Sequence, residues 1–275
     1  MTATKNLLKD RYGYDFPITE GINQTINTIL SHGTCRKYTN QSISDDLLNL
    51  LLACAQSAPS KSNLQQYSVL VVRNLEIRRK LAALVPTMNW VFSAPILLVF
   101  LGDVRRIRQL AKKRGYKYQN NNADTFMNAS IDAALAMQSL ITGAESLGLG
   151  VCPISYLRNH IGRLSTLLSL PDGVFPICGL TLGYKAEPGY ISMRLPQDIV
   201  VHYDFYNDDD LDKKIKEFDD RNHERSPISP IKQRHVDKYG VLERCTWSEN
   251  VCRQLSLPER EKFADYLNSK GIKLT

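Results

Sequence analysis

Ser31-His32-Gly33-Thr34-Cys35-Arg36-Lys37-Tyr38 sets an imidazole, a hydroxyl and a guanidinium at alternate positions. In extended chain, alternate side chains share one face, so His32, Thr34 and Arg36 can converge on a single anion. A phosphate dianion suits that set: a planar cationic fork, a hydroxyl donor and an imidazole N–H. Gly33 loosens the backbone between them. Read alone, the octapeptide is a surface loop with two charges, and its neighbours are what change that reading.

Upstream, Ile22, Ile26, Ile29 and Leu30 predict a short helix that delivers the chain to Ser31. Residues 1–18 are polar and mixed, and an irregular arm is expected there. Downstream, Ser44 reads as an N-cap, with Asp45 and Asp46 in the first turn and Ile43 and Leu48 at the staple positions. Leu47, Leu48, Leu51, Leu52 and Ala55 form one apolar face, so a helix should run to about Gln56. The loop Ala58–Gln66 follows, then a β-branched strand, Tyr67–Val72. Ser60, Ser62, Asn63 and Gln65 supply both donors and acceptors, the equipment for reading a heteroaromatic edge of mixed polarity. Asn74 should cap a helix through about Leu84. Pro86–Trp90 reads as a turn and Ala94–Leu101 as a strand buried on both faces.

Val104–Tyr118 holds seven Lys and Arg residues. A nucleic-acid patch is one reading; a solvated helix and loop is the preferred one, because such runs are weak signals. Asp124–Leu147 is apolar nearly all round, which predicts a helix buried in a core or across a subunit interface. Gly148-Leu149-Gly150 stops it, and the short segment Val151–Tyr156 follows. A helix over His160–Leu168 and a strand over Pro176–Leu182 come next. Tyr184–Arg244 lacks apolar periodicity and is expected to be a long excursion holding one helix, about Leu211–Asn222. Ser256 and Glu259 stand at capping-box spacing for a final helix with Phe263, Tyr266 and Leu267 on its face and Gly271 past its end.

Composition bounds the rest. With 275 residues, 43% hydrophobic and 23% charged, the chain falls among soluble globular proteins. No apolar run approaches the roughly 20 residues of a membrane helix, and Met1–Lys9 has no signal-peptide core. No membrane association is therefore expected, and a cytoplasmic location is expected by default. Cys35, Cys54, Cys152, Cys178, Cys245 and Cys252 are scattered without a C-x-x-C, which argues against zinc, any other metal site or a disulfide framework. The net charge of +7 suits phosphorylated ligands as well as nucleic acid.

Together, residues 31–38, Ala58-Pro59-Ser60-Lys61-Ser62-Asn63-Leu64-Gln65-Gln66 and Ala144-Glu145-Ser146-Leu147-Gly148-Leu149-Gly150 resemble the FMN-dependent nitroreductases. Leu170–Gly183 and Arg194-Leu195-Pro196 add to the likeness, which is greatest to the NADPH-using flavin reductase and nitroreductase group. The resemblance implies an α+β fold, a central mostly antiparallel sheet flanked by helices, and an intertwined homodimer with FMN at the subunit interface. The implied division is an N-terminal arm (1–18), an FMN-binding core (19–183) and a C-terminal segment embracing the partner (184–275). By resemblance His32, Thr34, Arg36 and Arg194 would hold the FMN phosphate. Ser60, Ser62, Asn63 and Gln65 would bind ribityl or isoalloxazine polar atoms, and Pro153, Ile154, Ser155 and Tyr156 would lie against the flavin with main-chain N–H groups near N5. Thr34 replaces a usual Ser. Met88 replaces a glutamine, leaving Asn89 as its substitute; Ser155-Tyr156 replaces a glycine pair and Ser192 a lysine.

The implied activity is hydride transfer from NADPH through FMN to a nitroaromatic, quinone or flavin acceptor, with the flavin supplying the chemistry and no side chain acting as an obligatory acid or base. Among the cations of the excursion, Arg225, Arg234 and Arg244 are the candidates for the 2′-phosphate of NADPH, since a guanidinium fork fits a phosphate better than an ammonium. A non-enzymatic flavin carrier on the same fold is the alternative. A nucleic-acid partner is not expected.

Overall fold

The computed structural model describes residues 2–18 and 20–274, apart from the side chain of Thr2. In chain order, helices α1 (Thr2–Tyr12), α2 (Gln24–Leu30) and α3 (Asp45–Gln56) precede strand β1 (Tyr67–Val71). Then come α4 (Leu75–Ala82), α5 (Trp90–Ser93), β2 (Ile96–Asp103), α6 (Arg105–Lys113), α7 (Ala123–Ser146), β3 (Leu149–Ile154), α8 (Ile161–Leu167) and β4 (Val174–Tyr184). The last part holds α9 (Gln197–Val200), α10 (Leu211–Arg225), α11 (Val236–Tyr239), α12 (Trp247–Leu255) and α13 (Phe263–Ser269). Two compact units result: residues 32–190 with 260–275, and residues 1–31 with 191–259.

The larger unit is built on a sheet ordered β1-β2-β4-β3, antiparallel at every pairing. β2 shows why it is central. Leu98 and Phe100 point to one face, where α3 and α7 cover them, while Leu97, Val99 and Leu101 point to the other, with Leu81, Val91 and Leu164. A strand buried on both faces reads as a continuous apolar run, which is what Ala94–Leu101 shows. Leu180 and Leu182 of β4 join the α3/α7 side. Beyond Gly173, α13 closes one end through Phe126, Phe175 and Leu267.

Local signals were reliable where a cap fixed them. Ser44 accepts from the Leu47 N–H and Asn74 from those of Glu76 and Ile77, so α3 and α4 begin where the sequence places them. Ile43 and Leu48 are both buried in the α3/α7 cluster.

In the smaller unit the irregular arm is corrected to a helix. Thr4 and Leu8 of α1 are buried, and Thr4 Oγ1 donates to Asn27 Oδ1 of α2 at 2.7 Å. The capping box at Ser256 is also corrected. Ser256 ends α12 instead, its N–H donating to Cys252 and its hydroxyl to the Arg253 carbonyl, and α13 starts only at Phe263. The long helix α7 is not buried on every side within one chain: Met127, Ile131 and Leu135 are exposed. No helix among the described residues is long and apolar enough to cross a membrane, and no cluster there could hold a metal ion.

Candidate functional site

The His32–Arg36 segment is extended and pinned on both sides. The Cys35 N–H donates to the Val151 carbonyl at 2.8 Å, and Thr34 bridges Val151 on β3 and Tyr190. Gly33 and Cys35 are buried, whereas His32 and Thr34 are half-buried and Arg36 is exposed, which is the alternation expected of an extended strand. Glycine is needed at residue 33: a Cβ there would stand 2.9 Å from the Tyr190 carbonyl oxygen. Tyr38 anchors the far end, its hydroxyl donating to the Cys35 carbonyl at 2.8 Å and lying 2.8 Å from Thr181 Oγ1.

Each outward side chain is steered separately. His32 Nδ1 donates to Glu145 Oε1 at 2.8 Å, and that carboxylate is almost fully buried near the end of α7. A ring held through Nδ1 turns Nε2 the other way. The Arg36 guanidinium lies over the Trp90 ring, 5.4 Å from its centroid, an arrangement that holds a cation without neutralising it. Beneath it, burial pushes the Cys152 thiol up, and Arg36 acts in the opposite sense.

The Ser60–Gln66 loop is organised from within by Asp132, which is 1% exposed on α7. Its Oδ2 accepts from Ser60 Oγ at 2.8 Å and from the Gln66 N–H at 2.9 Å; its Oδ1 accepts from the Lys61 N–H at 3.0 Å. Ser62, Asn63 and Gln65 all have positive φ, near +50°, which a non-glycine residue holds only when its surroundings over-determine it. Arg106 closes the loop from α6, donating to the Gln65 carbonyl at 2.9 Å and to Ser68 Oγ at 3.0 Å. The Ser60 hydroxyl is thus spent on Asp132 and on the Gln65 N–H. Ser62, Asn63 and Gln65 remain at the surface. Within the basic run, Arg106 and Arg108 turn to protein acceptors, Arg108 reaching Asn121 Oδ1 at 2.6 Å and the Gly271 carbonyl at 2.7 Å.

At the end of β3, Pro153, Ser155 and Tyr156 are exposed and Ile154 is buried. Pro153 has no N–H, so main-chain donors in this segment begin after it. Asn89 opens α5 with an exposed side chain that makes no cap bond, and Met88 packs into the apolar cluster beside Trp90.

Arg194 belongs to the smaller unit. It is exposed, and its Nη1 donates to Ser192 Oγ at 2.6 Å. The three candidate nucleotide cations have different situations. Arg225 is paired with Asp10 at 2.9 Å and Arg244 with Asp220. Arg234 is exposed, and among the described residues its guanidinium has no partner, although its N–H donates to Asn250 Oδ1. Sequence reasoning missed Asp132, Glu145, Trp90 and Arg106. Glu145 and Arg106 stood inside segments already singled out, the first in the 144–150 stretch and the second in the basic run 104–118.

The model of the Nitroreductase family matches residues 29–95 and 85–184, and that of its C-terminal domain matches residues 192–275. An "FMN reductase (NADPH)" of Bacillus subtilis is 32% identical over 255 residues, covering 91% of this chain and 99% of that protein. An "NADPH-flavin oxidoreductase" of Vibrio harveyi is 30% identical over 251 residues, again covering 91% and 99%. Among solved structures, the NADPH:FMN oxidoreductase from Vibrio harveyi complexed with NAD+ superposes with a TM-score of 0.80 at 30% identity. That match spans 90% of this chain and 98% of that one.

Proposed function

The chain belongs to the nitroreductase family, and from that premise we infer that it is an FMN-dependent NAD(P)H oxidoreductase. Bound FMN would supply the redox chemistry, taking hydride from NADPH at N5 and passing electrons to a second substrate. The protein's share is binding, orientation and electrostatics. The observation that carries this reading is the pinned His32–Arg36 segment, where backbone partners on both sides leave three phosphate donors on the outward positions.

The residues present fit the cofactor. His32, Thr34 and Arg36 offer an imidazole, a hydroxyl and a guanidinium to one phosphate, and the close approach at Gly33 keeps the segment's backbone in place. Arg194 is proposed as a further phosphate cation. Ser62, Asn63 and Gln65, held outward by Asp132 and Arg106, are proposed to meet the polar edge of the ring system, with Ser60 as their support. Asn89, Pro153, Ile154, Ser155 and Tyr156 would line the flavin. Of the three candidates, Arg234 is the one whose guanidinium can take the 2′-phosphate without breaking an ion pair among the described residues, and it stands ahead of Arg225 and Arg244 as first candidate.

A homodimer is proposed from exposed apolar surface. Leu50 and Ala53 of α3 and Leu135 of α7 line a groove of about 620 Å³, and Tyr203, Phe205 and Tyr206 are exposed in the excursion. The electron acceptors proposed are nitroaromatics, quinones or free flavin, and the setting proposed is the cytoplasm. Purified protein should be yellow, release FMN on denaturation, and bleach on addition of NADPH without oxygen. Protein that stays yellow for minutes under NADPH would favour the carrier reading, and colourless protein that takes up no FMN would end both. Sedimentation at micromolar concentration tests the dimer.

A further inference from the structure

Arg11, in the first helix, is not used by the reading above. It is 6% exposed, an uncommon place for a guanidinium. Its Nη1 donates to the Ser192 carbonyl at 2.9 Å and its Nη2 to the Leu30 carbonyl at 2.8 Å. The carbonyl of the same residue accepts from the Arg194 N–H at 2.8 Å. Residue 11 therefore grips the Ser192–Arg194 segment twice, once on each side of Met193, with Leu30 as the anchor. Two neighbours reinforce the grip. Gly13, at φ +78°, lies so close under Met193 that a Cβ would stand 2.6 Å from its Cε, and Asp10 pairs with Arg225. From Ser192 the hydroxyl then accepts from the Arg194 guanidinium itself. The family match begins at residue 29, so α1 lies outside it.

We propose that Arg11 is a positioning residue for flavin phosphate: it fixes Ser192–Arg194 so that the Arg194 guanidinium is already placed when the phosphate arrives. The proposal rests on the reading of Arg194 as a phosphate ligand. A guanidinium on a loose segment must be ordered at the moment of binding, and that ordering subtracts from affinity. A segment held from two sides has already been ordered by folding. The consequence is specific to the phosphate: flavin lacking it gains nothing from Arg11.

The test uses the full chain freed of flavin by dialysis, titrated with FMN and with riboflavin, which lacks the phosphate. Arg11→Met keeps the apolar stem and removes the donors; Arg11→Lys keeps the charge but loses the fork; Arg194→Ala is the reference. In Arg11→Met the FMN affinity should fall about tenfold, the usual scale for losing hydrogen bonds from a charged donor, while riboflavin affinity changes less than about twofold. Arg11→Lys should lose less, and Arg194→Ala should lose the FMN preference too. A purely structural Arg11 would weaken both flavins in proportion, and that result overturns the proposal. So does an unchanged FMN-to-riboflavin ratio in both Arg11 variants when Arg194→Ala loses it. If Arg194→Ala keeps the ratio, the phosphate role of Arg194 is wrong and the proposal falls with it. Should Arg11→Met fail to fold, the ratio in Arg11→Lys decides, and an unchanged ratio counts against.

Discussion

Replacing Asp132 isolates the device that shapes the Ser60–Gln66 loop. Three donors meet its carboxylate, and they are not equivalent. The Gln66 N–H is buried, while Ser60 Oγ and the Lys61 N–H are only partly so. In Asp132→Ala the buried N–H loses its partner where water does not reach, which costs about 2–3 kcal/mol. The other two donors can turn to solvent, at about 0.5–1 kcal/mol each. The sum is about 3–5 kcal/mol, comparable with the strain of three left-handed residues at about 1–2 kcal/mol each. The loop should therefore relax as the carboxylate goes. Asp132→Asn separates the electrostatics from the shape. With its amide oxygen at the Oδ2 position it keeps Ser60 and Gln66 and sets an N–H against the Lys61 N–H, so about 1–2 kcal/mol should go. Urea unfolding gives the two stabilities, and amide exchange over residues 60–66 reports the loop directly. An alanine variant within about 1 kcal/mol of the parent would refute the assignment. So would an asparagine variant as damaged as the alanine one.

Three further outcomes are expected. Arg36→Ala should lose FMN more severely than Arg194→Ala, because Arg36 shares one pinned segment with His32 and Thr34; full flavin occupancy in purified Arg36→Ala would refute the phosphate assignment. NADPH should be preferred to NADH, and Arg234→Ala should raise KM for NADPH about tenfold with kcat and the NADH constants unchanged, since a remote phosphate contact is equal in ground and transition states; equal kcat/KM for the two nucleotides in the parent would end that idea. Burial holds the Cys35, Cys152 and Cys178 thiols above their ordinary 9.0, so the unfolded chain ionises first as pH rises. Stability is then fully present below about pH 9 and lost above it as the folded thiols are forced to ionise; a urea midpoint that stays level or rises to about pH 10.5 would contradict this.

The parts of the fold legible in the sequence are those decided by neighbours along the chain. Ser44 and Asn74 cap helices through residues two or three positions on, and the in–out alternation of residues 32–36 follows from the geometry of one extended segment. The failures have the opposite character. α1 shows little apolar periodicity because its buried residues include Thr4 and Arg11 as well as Leu8, satisfied by partners such as Asn27 and Ser192 that sequence spacing does not pair with them. The Ser256/Glu259 spacing matched a capping box, but the same serine can close a preceding helix by bonding back to its last carbonyls, and Pro258 disfavours helical backbone at Leu257, where the new helix would have its first residue.

Arginine is where sequence reading is weakest, and the reason is physical. A guanidinium has five donors and no acceptor, so it can serve a phosphate or a cluster of main-chain carbonyls equally well. Carbonyls are present at every residue, and nothing in a sequence marks those left without partners by a turn or a helix end. Arg78 is buried against the Phe92 and Pro95 carbonyls, Arg106 is exposed yet donates to the Gln65 and Tyr67 carbonyls, and half-buried Arg108 donates to that of Gly271. Each could be drawn as an anion site from charge alone. What separates Arg36, Arg194 and Arg234 from them is not exposure, which Arg106 shares, but neighbours that leave donors available: a ring face, one hydroxyl, and no side-chain partner among the described residues. A cation earmarked for a ligand is therefore recognised by the carbonyls it does not touch, and that property exists only once the chain has folded.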